Sequence, residues 1–157
     1  MWYSLLSMAP TPQKFREIVL QILYSSDFNA SQDEDMGTFM KGEFALSNKS
    51  MRLAQERRDQ VLAKKEEADA LIEEFSSSYS LERIPRTERA ILRLGIYELL
   101  FDTTIPPKVA IAEAIRLARK YATPEGGMFV NAVLDSLYKK KLNFDEPYAV
   151  SAGKASE

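Results

Sequence analysis

Apolar residues recur at helical spacing along most of this chain, and no stretch holds the strict alternation of a strand. The first helix is predicted to start at Thr11-Pro12, with Thr11 as cap and Pro12 at the first helical position. Phe15, Ile18, Val19, Ile22 and Leu23 form one stripe, Leu20 and Tyr24 widen it, and Gln13, Glu17 and Gln21 line the opposite side. Residues 27–37 are polar and acidic and read as a loop, and 38–46 read as a short helix. From Ser50 to Phe75 there is no Gly or Pro, which predicts one long helix. Ala54, Val61, Ala68 and Phe75 recur every seven residues along it. Such small, intermittent seam residues suit packing within the molecule better than a coiled coil.

After a connector broken by Pro85, a helix over 87–101 is apolar nearly all round and should be the most buried. Gly95 inside it costs about 1 kcal/mol against Ala, so a close helix crossing is expected there. A helix over 107–121 turns Ile111, Ala114, Ile115 and Ala118 inward. Thr123-Pro124-Glu125 caps the last helix, whose stripe is Val130, Val133, Leu134 and Leu137. Lys139, Lys140 and Lys141 complement that helix's C-terminal dipole. The expected fold is all-α, two small helical bundles sharing one core. The expected organisation is an apolar extension over 1–10, one domain over 11–142 with subdomains near 11–78 and 79–142, and a disordered tail over 143–157.

Composition removes much chemistry. The 157 residues include no His and no Cys. Disulfides, thiolate metal sites, thiol nucleophiles, Ser-His-Asp catalysis and His-based metal hydrolysis are excluded. No metal site or cofactor is expected. The net charge of −2 hides an asymmetry: residues 1–75 hold 9 Lys/Arg against 13 Asp/Glu, and residues 76–144 hold 11 against 7. A mildly acidic chain can thus carry a basic half. The first ten residues are apolar but lack the basic start of an export signal, and Met1 and Met8 both stay open as the start. No segment reaches the ~20 apolar residues of a membrane span, so a cytoplasmic, non-membrane protein is expected.

Three features could bear function. Paired carboxylates such as Glu66-Glu67 and Glu73-Glu74 sit in a charged helix, where solvation accounts for them. The run Thr123-Pro124-Glu125-Gly126-Gly127 opens a helix whose free N–H groups could hold phosphate, but it lacks the lysine of a nucleotide loop. Basic residues also interleave with aromatics: Lys14 and Arg16 around Phe15, then Lys120, Tyr121 and Phe129. Cations along phosphates and ring faces against bases are how single-stranded RNA is held. Phe15 and Phe129 serve equally well as core, and Asn131 reads as a buried hydrogen-bonding residue.

Three blocks resemble the bacterial NusB family of transcription antitermination factors. The first is Phe15-Arg16-Glu17-Ile18-Val19-Leu20-Gln21-Ile22-Leu23-Tyr24. The second runs from Glu88 to Leu99 (ERAILRLGIYEL) and continues as Ile105-Pro106-Pro107-Lys108-Val109-Ala110. The third is Phe129-Val130-Asn131-Ala132-Val133-Leu134-Asp135. The resemblance implies a NusB-like all-helical fold and a non-enzymatic role. Family members pair with the small-subunit ribosomal protein NusE. The pair binds single-stranded boxA RNA in ribosomal RNA leaders, and with other Nus factors keeps RNA polymerase elongating.

The resemblance places RNA contacts at Lys14, Arg16, Glu125, Gly126, Gly127 and Phe129, and partner contacts at Tyr24 and Glu88; Lys120 joins the RNA candidates from its place beside the aromatics alone. Glu88, at the start of its helix, is expected to be exposed. Many relatives begin with a run of arginines, whereas residues 9–13 here are Ala-Pro-Thr-Pro-Gln. Weak RNA binding by the chain alone is therefore expected. Two other readings stand beside this one: a helical scaffold that binds protein without RNA, and the NusB-like part of an RNA methyltransferase, which would need a catalytic Cys. A homodimer through Met1–Met8 or the long helix stays open.

Overall fold

The computed structural model describes residues 9–26, 47–77 and 79–141. The loop and short helix expected over 27–46, the first eight residues and the tail from 143 lie outside the described residues. Every regular element among the described residues is helical: α1 (Pro12–Ser26), α2 (Asn48–Ala63), α3 (Lys65–Phe75), a 3₁₀ turn (Leu81–Arg83), α4 (Arg86–Ile96), a π turn (Tyr97–Phe101), α5 (Pro107–Tyr121) and α6 (Pro124–Lys141). They fall into two compact units, Met1–Ala63 and Lys64–Glu157.

In the first unit, α1 packs against α2. The α1 cap is as expected: Lys14 N–H donates to Thr11 Oγ1 at 3.1 Å, and Phe15 N–H to the Thr11 carbonyl at 2.8 Å. Ile18, Val19, Ile22 and Leu23 are buried, and so is Leu20. Glu17, placed on the polar side by its spacing, is buried too. The second helix starts earlier than its apolar pattern suggests, because Ser47 Oγ accepts from Ser50 N–H at 3.0 Å and sets the cap. Ala54 and Val61 are its buried seam.

The single helix expected over 50–75 is broken at Lys64, where φ is −107° and ψ is 13°. There the Lys64 carbonyl accepts from Ala68 N–H at 2.9 Å and opens α3. The Lys64 ammonium lies 4.9 Å from the centre of the Phe101 ring and 3.5 Å from Glu67. Lys64 is the first residue of the second unit, and both contacts lie within that unit.

In the second unit α4 is the core element. Every residue from Ala90 to Ile96 is buried, Arg93 included. Its neighbours are α3, α5 and α6. Gly95 marks the expected close crossing: a Cβ there would stand 3.1 Å from Leu134 Cδ1 of α6 and 3.3 Å from Ala114 Cβ of α5. The Arg93 guanidinium forks onto Asp69 of α3, with Nε donating to Oδ1 at 2.7 Å and Nη2 to Oδ2 at 3.1 Å. That fork gives a buried cation its partner, as burial requires. On α5, Ala110, Ile111, Ala114, Leu117 and Ala118 are buried, whereas Ile115 is only half-buried. On α6, Val130, Val133, Leu134 and Leu137 form the buried stripe.

Candidate functional site

The second unit carries a cavity of about 260 Å³ between the connector before α4, the first turn of α4 and the start of α6. Local chemistry sets each wall. The hydroxyl of buried Ser76 donates to the Tyr79 carbonyl at 2.8 Å as α3 ends. Ser77 adopts the left-handed φ of 64° that turns the chain out of the helix. The turn Leu81–Arg83 follows, and Ile84 N–H donates to the Leu81 carbonyl at 3.1 Å. Tyr79, Arg83, Ile84 and Pro85 form this wall.

The facing wall is the start of α6, supplying Thr123, Glu125, Gly126 and Phe129. Thr123 Oγ1 accepts from Gly126 N–H at 3.0 Å, and the Thr123 carbonyl accepts from Gly127 N–H at 2.9 Å. Thr123-Pro124 therefore caps α6 as Thr11-Pro12 caps α1. Two amides that an anion would need are already engaged, which weighs against a phosphate cradle in this turn. The Tyr79 and Phe129 rings meet edge to face at 5.8 Å and 87°.

Glu88 forms the floor, and here the sequence-based expectation needs correction. The residue is 9% exposed, although it stands in the first turn of its helix. Its side chain lies under the start of α6, where the missing side chain of Gly126 makes room. A Cβ at Gly126 would come 2.5 Å from Glu88 Oε1. Burial pushes the Glu88 carboxyl above its ordinary value of 4.5.

The site residues named from the sequence divide between the two units. Within the second, Glu88, Glu125, Gly126 and Phe129 line the one cavity, so a residue assigned to partner binding shares a pocket with three assigned to RNA. Lys120 is exposed in the last turn of α5, 5.6 Å from the Tyr121 ring, and does not line it. Gly127 is buried, with Arg119 Cγ 3.4 Å from where its Cβ would be. Asn131, expected to be buried, is exposed.

In the first unit, Lys14 is exposed and paired with Glu17 at 3.5 Å. Arg16 is only 9% exposed, and Tyr24 is 37% exposed. Tyr79 and Arg83 lie in a connector, away from the helix ends where cations stand beside aromatics in the sequence. Their signal was present in Tyr79-Ser80-Leu81-Glu82-Arg83, an aromatic and a cation four residues apart beside a proline. Among the described residues no cluster of carboxylates is placed to hold a metal ion, and no helix is long and apolar enough to cross a membrane.

Residues 13–139 match the model of the NusB family. The chain belongs to the NusB family. The transcription antitermination protein NusB of Methylacidiphilum infernorum is 34% identical over 128 residues, covering 81% of this chain and 90% of that protein. The NusB of Dictyoglomus thermophilum is 34% identical over 146 residues, covering 93% of this chain and 94% of its own length. Among solved structures, T. maritima NusB aligns with a TM-score of 0.70 and 32% identity over 85% of this chain and 94% of that one. A crystal structure of antitermination factors NusB and NusE in complex with double-stranded RNA aligns at 0.69 and 29% identity, over 81% of this chain and 95% of that one. The NusB family match leaves the first twelve residues outside it.

Proposed function

We propose that this chain is a cytoplasmic transcription antitermination factor that acts without catalysis, binding boxA-type RNA jointly with NusE. In this role it joins other Nus factors on elongating RNA polymerase during ribosomal RNA synthesis. The observation that carries the reading is the likeness in fold and sequence to a NusB solved together with NusE and RNA. The cavity supports it, since it sets aromatic edges, an arginine and a buried carboxyl side by side.

On this reading Phe129, with Tyr79 braced against it, offers a ring to a base, and Arg83 and Lys120 neutralise phosphates. Gly126 and Gly127 shape the turn that carries Glu125 and Phe129, and Glu125 borders the RNA. Lys14 and Arg16 of α1 supply further positive charge, Arg16 from a nearly covered position. Tyr24 and Glu88 meet NusE. Each contact is weak alone, and the two ligands reinforce each other.

Filter binding of boxA RNA over a salt series, with and without NusE and with single-stranded and duplex arms, tests this. The chain alone should retain RNA weakly, with log affinity falling by ~0.7 per phosphate contact for each unit of log salt. NusE should raise the affinity by roughly 10²-fold or more. Nanomolar binding without NusE at physiological salt would overturn the joint mechanism. Absence of salt-dependent retention even with NusE would favour a protein-only scaffold.

A further inference from the structure

The first unit has a second, more apolar groove, of about 660 Å³, lying between the start of α1 and the start of α2. Ala9, Pro10, Pro12 and Phe15 form one side, and Lys49 and Leu53 stand on the other. Phe15 is half-buried, and Leu53 is 44% exposed, one of the few large apolar side chains left open. Neither is used by the site described above. The groove is lined mainly by apolar atoms, which suits an apolar occupant.

We infer that the groove is the docking site of this chain's own first eight residues, Met1–Met8. The attachment point argues for it: Met8 is bonded to Ala9, and Ala9 already stands on the rim. Composition argues for it as well. Met1, Trp2, Tyr3, Leu5, Leu6 and Met8 are apolar, the other two residues are serines, and no side chain is charged at neutral pH. Eight residues reach at most ~28 Å when extended, so the segment can lie along the groove beside its own anchor with chain to spare. Tethering also gives the segment a high effective concentration at that groove, which a separate partner would lack. The docked segment removes Leu53, Phe15 and its own apolar side chains from water together.

Trp2 is the sole tryptophan of the chain, so intrinsic fluorescence reads the docking directly. The full chain should emit at shorter wavelength than the same protein in denaturant. Leu53→Arg, which puts a charge on the groove wall, should shift emission towards the denatured position while circular dichroism stays native. Should that variant lose helicity, the milder Leu53→Ser carries the same test. The blue shift should persist on dilution over two decades of concentration, as an intramolecular contact requires. Three results overturn the inference: emission at the denatured position in the unmodified chain, emission indifferent to both Leu53 variants, or a blue shift lost on dilution, which would assign the groove to a second copy.

Discussion

Glu88 and Gly126 are 38 positions apart and form a single feature. The glycine is required where it stands because the carboxyl of Glu88 occupies the space a side chain would take. Burial raises the Glu88 pKa, so the folded state holds that proton more tightly than the unfolded chain. Its contribution is therefore fully present below the ordinary carboxylate value and is lost as pH rises through the raised one. Glu88→Gln should accordingly raise Tm at neutral pH, with the gain shrinking to nothing in acid. Thermal melts of both proteins from pH 3 to pH 8 check this, and a gain that grows in acid would contradict it. Gly126→Ala should displace the flexible Glu88 side chain rather than unfold the protein. NMR titration of the Glu88 carboxyl in that variant should then return towards 4.5. An unmoved titration would mean the two residues do not share the space. Sequence alone placed Glu88 in a first helical turn and inferred exposure from that. What buries it is contributed by the start of α6, which no local pattern around Glu88 reports.

At the scale of elements, the legible features are those whose causes are local. Thr11-Pro12 and Thr123-Pro124 announce their helices because cap and capped amide lie within three residues. Gly95 announces a crossing because a glycine in a good helix-forming run needs a reason. Gly95→Val should cost about 1–3 kcal/mol by overpacking against Leu134 and Ala114, measured as a fall in denaturation midpoint. The break at Lys64 was not legible: neither Gly nor Pro marks it, and the ring that holds the lysine is 37 positions away. The Arg93–Asp69 fork was hidden for the same reason, since its partners stand on different helices. Asp69→Ala should cost about 3 kcal/mol by removing the carboxylate onto which a buried guanidinium forks. Lys65→Ala, which removes the more exposed ion pair to the same carboxylate, should cost at most ~1 kcal/mol. Equal losses in the two variants, by urea unfolding, would deny the fork its role.

For the whole molecule, an all-helical architecture followed from periodicity, and the function class followed from three blocks of residues read against a family. Composition gave only exclusions, because a chain without His or Cys has lost its commonest catalytic groups but keeps every means of binding. The cavity of the second unit was half legible: Glu125, Gly126 and Phe129 lie in a block the sequence marks, whereas Tyr79 and Arg83 lie in a connector that periodicity passes over. Joint binding of RNA and protein is the central property proposed for this protein, and mass measurement by light scattering on an equimolar mixture with NusE and a boxA RNA tests it most directly. Joint binding predicts one species holding all three components, more stable to dilution than either pairwise complex. A mixture that resolves into free RNA and protein, or in which the RNA adds nothing to the protein pair, would contradict it.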